Sequence, residues 1–99
     1  MFGFNGETKG LKIILEGIAC NHNSGKLTHK QVRAYARCML AIFKALSIDT
    51  ELEAEIKILL FSLSANGIPH YDRSFIASRI LELLERNDKL KIEETNNHF

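Results

Sequence analysis

The stretch CNHNSGKLTHKQVRAYARCML, residues 20 to 40, starts with the polar residues and glycine of a cation-binding loop and runs into a helix. With Gly25 at the sixth position of a calcium loop, the ligand positions fall on Cys20, His22, Ser24 and Gln31, where calcium requires several carboxylates and a bidentate glutamate. The stretch holds no carboxylate, so it reads as a turn followed by a capped helix. Histidine offers other chemistry. In an up-and-down bundle the segments near residues 23 and 69 share one end, which would bring His22, His29, His70, Asp72 and Cys20 within reach of one another. Neutral imidazoles can ligate zinc or carry protons near neutral pH. No HxxxH or CxxC spacing accompanies them, and loop histidines are commonly plain surface residues. The expectation is therefore no catalytic residue, no metal and no cofactor.

Charge is segregated along the chain. Residues 17 to 48 carry Lys26, Lys30, Arg33, Arg37 and Lys44 without an acid, and Asp49, Glu51, Glu53 and Glu55 follow at once. On a helix, Lys30, Arg33, Arg37 and Lys44 lie within about 60° of one another at 100° per residue, a stripe able to meet phosphates. The formal net charge is only +1, and no aromatic residue interleaves the stripe, so nucleic-acid binding is the alternative rather than the leading reading. The acids sit where a helix begins and favour its positive end by about 0.3–1 kcal/mol each. They also form a local negative patch suited to a basic partner. The segment HYDR, residues 70 to 73, adds Tyr71 and Asp72 as candidate partner contacts, since exposed tyrosine is a frequent interface anchor.

The elements that position these residues follow from apolar spacing. Leu11, Ile14, Leu15 and Ile18 predict a first helix over about 7–19, with Gly10 and Gly17 on nearly one face as sites for close helix approach. Asn21 to Gly25 predicts a loop. A second helix follows, with Thr28 and Gln31 as a capping box and Val32, Tyr35, Ala36, Met39, Leu40, Phe43 and Leu46 as its apolar face. Ala34, Cys38, Ala41 and Ala45 add a small-residue seam, which predicts a central place for this helix and a surface for self-association.

The third helix should begin with a Thr50/Glu53 box, pair Glu53 with Lys57, bury Leu52, Ile56, Leu59, Leu60 and Leu63, and end at Asn66–Gly67 before Pro69. A fourth, capped by Asp72 or Ser74, turns Ile76, Ile80, Leu81, Leu83 and Leu84 inward and pairs Glu82 with Arg86 and Glu85 with Lys89. Residues 88–99 read as a short strand or frayed turn and a mobile tail.

Ninety-nine residues, 45% hydrophobic and 25% charged, suffice for one domain with one core and no staples. The expected fold is all-α, a single small bundle of about four antiparallel amphipathic helices with its core at about 7–87. No run is apolar enough to span a membrane, MFGFNGETKG lacks a signal-peptide pattern, and Cys20 and Cys38 make no disulfide framework, which together predict a cytoplasmic protein. The chain has no nucleophile elbow, phosphate loop or dinucleotide fingerprint, so an enzyme is not expected.

In size, helical pattern and absence of such motifs, residues 7 to 87 resemble the immunity proteins that bacteria make against colicins and contact-dependent growth-inhibition toxins. The resemblance implies an inhibitor that occludes a cognate toxin domain, often a nuclease; the sequence leaves monomer and homodimer both open. Asp49, Glu51, Glu53 and Glu55 would then imitate phosphate charges against a basic cleft.

Overall fold

The computed structural model describes the backbone of residues 2–44 and 50–97 and the side chains of residues 9–43 and 51–86. The fold is all-α: α1 Phe2–Ala19, α2 Asn21–Ser24, α3 His29–Lys44, α4 Thr50–Leu63 and α5 His70–Asn97. Leu11, Leu15 and Ile18 of α1, Val32, Ala36, Met39 and Phe43 of α3, Leu52, Ile56, Leu60 and Leu63 of α4, and Ala77, Ile80, Leu83 and Leu84 of α5 close into one core. They recur every three or four residues because only that spacing keeps one face of a helix inward. Each fully buried Leu, Ile or Phe side chain contributes about 1.5–3 kcal/mol.

Cross-helix bonds give the long helices their directions. Ser74 Oγ donates to the Ile18 carbonyl over 2.8 Å, joining the end of α1 to the start of α5. Arg33 Nε donates to the Ser64 carbonyl over 3.1 Å, joining the start of α3 to the residue after α4. Neighbours are thus antiparallel, and the end of α1, the start of α3, the end of α4 and the start of α5 meet at one end of the bundle.

Local chemistry sets the boundaries. Thr28 Oγ1 accepts from the Gln31 N–H at 3.1 Å, and Gln31 Oε1 accepts from the Thr28 N–H at 2.9 Å, the reciprocal box expected at the head of α3. The predicted loop after α1 is instead one helical turn, α2, closed by Gly25 at φ 64 with its N–H on the Asn21 carbonyl. Gly67, at φ 79, lies in the turn that follows α4. Both positions are left-handed, where a Cβ is strained.

Several expectations are corrected. Gly10 and Gly17 are exposed, and a Cβ on either would meet nothing within 4 Å, so no helix approaches there. Ala34, Cys38 and Ala41 are also exposed, which puts the small-residue flank of α3 outward. The most extensively packed helix is α5, which lies against α1, α4 and α2, whereas α3 packs chiefly on α4 and only lightly on α1. Ser74 does not cap α5, because its hydroxyl is buried against α1 and α2; Pro69 takes the cap position, its carbonyl accepting the Arg73 N–H at 3.0 Å. Glu82 pairs with Arg79, three residues earlier, at 3.5 Å. The segment expected as strand or frayed turn continues α5 to Asn97, since no glycine or proline follows Pro69 to break it. Ala45, Leu46 and Asp49, and the side chains of Lys44, Thr50 and Lys89, lie outside the described residues. Among the described residues no helix is long and apolar enough to cross a membrane.

Candidate functional site

The end of the bundle where four helix termini meet is held by polar side chains. Asn21, on the single turn α2, is only 2% exposed. Its Oδ1 accepts the Leu27 N–H at 2.8 Å and its Nδ2 donates to the Leu27 carbonyl at 3.0 Å, which folds residues 21–27 back on themselves. Both contacts fix the orientation of the amide, so the second Nδ2 hydrogen is directed to His70 Nδ1 at 3.2 Å. The His70 ring stacks on His29 with centroids 3.7 Å apart and planes 7° from parallel.

His29 Nδ1 in turn accepts from Arg73 Nε at 3.1 Å. Arg73 is 1% exposed, and among the described residues no acid pairs with it; its guanidinium donates to the carbonyls of Leu63, Ala65 and Ile68. The last carbonyls of a helix lack partners within it and carry about half a negative charge. Arg73, with Arg33 on Ser64, supplies those partners and closes α4 from two other helices.

The donors fix the protonation of His29. Because Nδ1 accepts from a guanidinium, the imidazole must be neutral with its proton on Nε2. The ring is exposed at its outer edge, but loss of water on the side packed against the bundle, then the neighbouring His70 and Arg73, push its pKa below the ordinary 6.5. A group whose folded pKa is depressed binds fewer protons folded than unfolded, so stability is full above the unfolded pKa and declines as pH falls through the folded one. Urea unfolding midpoints should therefore drop as pH is lowered from about 6.5 toward 5, before carboxylates titrate. H29Q, which keeps an acceptor for Arg73, should flatten that slope; an unchanged slope in H29Q would remove His29 from the pH response.

The histidines expected to converge do so in part. His29 and His70 meet, but an ion must lie in the plane of each ligating ring, and nearly parallel stacked rings have no shared in-plane point nearby. His22 faces elsewhere: its ring meets Tyr71 edge-on at 5.6 Å, and its backbone N–H donates to Ser74 Oγ at 3.2 Å. Cys20 and Asp72 are exposed, and among the described residues no three His, Cys, Asp or Glu side chains gather as an ion site.

The charged candidates are dispersed. Lys30 and Arg37 are exposed on α3, whereas Arg33 is half-buried and committed to Ser64. Glu51 is exposed. Glu53 pairs with Lys57 at 2.6 Å, and Glu55 with Arg79 at 3.1 Å. These acids lie in the first half of α4, toward the end of the bundle away from Tyr71.

Two features were not anticipated. Phe75, one turn after Tyr71, is 71% exposed beside Tyr71 at 70%; a second aromatic residue off the core spacing is a signal the sequence does carry. The buried Arg73 leaves a subtler trace, since arginine in the first turn of a helix opposes the dipole and so has a reason outside that helix. No family model, no curated protein and no solved structure matches this chain.

Proposed function

We propose that the protein acts by binding a partner protein, as an inhibitor of the immunity-protein kind whose partner is a bacterial toxin domain, possessing no catalytic step of its own. The observation that carries the reading is the exposed pair Tyr71 and Phe75. The two rings stand one turn apart on the outer face of α5, flanking a groove of about 140 Å³ lined also by Ala19, His22, Ser74 and Ser78. Aromatic residues beside a concavity are the side chains that dominate protein interfaces, since each removes a large area from water with few torsions to fix.

The acids of α4 have a secondary role in this reading. Glu53 and Glu55 are already paired within the chain, so the patch of Asp49, Glu51, Glu53 and Glu55 speeds encounter by long-range attraction instead of forming the seat of the contact. The nucleic-acid alternative lacks a continuous exposed stripe, because Arg33 is half-buried and turned toward the end of α4 while Lys30 and Arg37 are exposed.

Tagged wild-type protein should capture one polypeptide in near-equal amount from its host. Against that purified partner, the Y71A/F75A variant should bind roughly thirtyfold or more weakly, about 2 kcal/mol or more, while its unfolding midpoint stays near wild type. A Glu51/Glu55 charge reversal should slow association without matching that loss. Equal affinity of Y71A/F75A, or recovery of nucleic acid in place of a polypeptide, would overturn the proposal.

A further inference from the structure

Beside the polar end of the bundle lies an open pocket of about 390 Å³, walled by His29 and Arg33 from α3, Arg73 from α5, and the turn from Asn66 to Pro69. Among the described residues no carboxylate lines it. Its two guanidinium groups bring two full positive charges, against about half a negative charge from the carbonyl end of α4. The first turn of α3, where His29 sits, adds the positive end of another helix dipole. Arg33 and Arg73 are close enough to oppose each other, and burial together with Arg33 pushes the Arg73 guanidinium below its ordinary basicity. An excess of like charge around a concavity is stabilised by an anion placed within it.

We propose that this pocket binds a tetrahedral oxyanion, a phosphate group free or carried on a monoester. Arg33 is the principal contact. Its Nε is held by the Ser64 carbonyl at 3.1 Å, which orients the planar fork while its terminal nitrogens supply charge-assisted donors. His29, one turn earlier on the same face of α3, has its Nδ1 occupied by Arg73, so Nε2–H is its remaining donor. The Asn66 side-chain amide is a third candidate donor, from the turn on the opposite wall. Donors from separate elements suit an acceptor with oxygens in three dimensions better than a planar carboxylate. Arg73 lies behind them, buried and donating to three carbonyls and to His29 Nδ1, and acts through its field and by positioning His29. The site is independent of the aromatic face of α5.

The test is titration of the full chain with inorganic phosphate, following the Arg33 Nε–H and His29 ring resonances, with chloride at matched ionic strength as the reference. The expected dissociation constant is on the order of 1 mM, with acetate about tenfold weaker. R33Q should weaken phosphate binding at least tenfold, and R33K, which keeps the charge but loses the fork, should fall between. R37Q, one turn further along α3 and outside the pocket, should bind as wild type. Circular dichroism and urea midpoints of each variant separate lost binding from lost fold. A second arm uses O-phosphoserine: tighter binding than phosphate assigns a phosphorylated molecule as the natural ligand, and weaker binding assigns the free anion. Shifts equalled by chloride or acetate, a folded R33Q that binds undiminished, or an R37Q that loses as much as R33Q would each overturn the site.

Discussion

Replacing Arg73 by methionine is expected to destabilise the protein by about 3–5 kcal/mol, although the new side chain is apolar and of similar length. The reason lies in what Arg73 leaves behind. Its guanidinium donates to the Leu63, Ala65 and Ile68 carbonyls and to His29 Nδ1. Methionine offers none of these a donor, and a buried polar group stripped of its partner costs about 1–3 kcal/mol. Removal of the charge gives some of this back, because burying a guanidinium without a carboxylate is itself unfavourable and Arg33 stands nearby. The carbonyls should dominate, since there are three, Leu63 and Ala65 at the end of α4 and Ile68 in the turn before α5.

Lysine keeps the charge but cannot span those acceptors with one ammonium, so R73K should recover only part of the loss. Urea unfolding at neutral pH checks both. With native stability for such a domain on the order of 5–15 kcal/mol, R73M should lower the thermal midpoint by roughly 15–25 °C. A loss under about 1 kcal/mol would mean that water can replace the guanidinium at the end of α4.

Asn21→Ala should rank next, with a loss of about 2–4 kcal/mol from a residue that contributes almost no apolar area. The amide is the hub of three contacts: the Leu27 N–H, the Leu27 carbonyl and His70 Nδ1. Alanine orphans all three in a part-buried setting. Aspartate tests the chemistry more finely, as it preserves the acceptor for the Leu27 N–H but sets an anion against the Leu27 carbonyl and removes the donor to His70. N21D should therefore fare no better than N21A at neutral pH. Hydrogen exchange offers the local readout, with the Leu27 amide losing protection ahead of the α3 core. If N21A and N21A/H70A are equally stable relative to their parents, the Asn21–His70 contact carries no coupling and the segment is held by Leu27 alone.

Sequence spacing was enough to find the four long helices, because an apolar residue every three or four positions has one low-energy solution in a single small core. Leu15, Ile18, Val32, Met39, Phe43, Ile56, Leu60, Ile80 and Leu84 were legible in this way and are buried. The Thr28/Gln31 box and the Glu53–Lys57 pair were equally legible, since their partners are three or four residues apart. The same reasoning misassigned α2, because a four-residue helix leaves no period to detect, and it ended α5 too early, because polar helix formers resemble a tail when no core face marks them.

What the chain alone determined, then, is the all-α class, the core face of each long helix and the local caps. Only tertiary structure decided that α5 packs most extensively against α1 and α4 while α3 meets α1 only lightly, that Gly10, Gly17, Ala34, Cys38 and Ala41 face outward, and that Asn21, His70, His29 and Arg73 form one hydrogen-bonded and stacked chain. Asn21 and His70 are 49 residues apart, and Arg73 and His29 are 44 apart. No local period encodes such pairs. They exist because antiparallel packing brings the unpaired ends of four helices to one place, where backbone groups left without partners must find them in side chains from elsewhere in the chain.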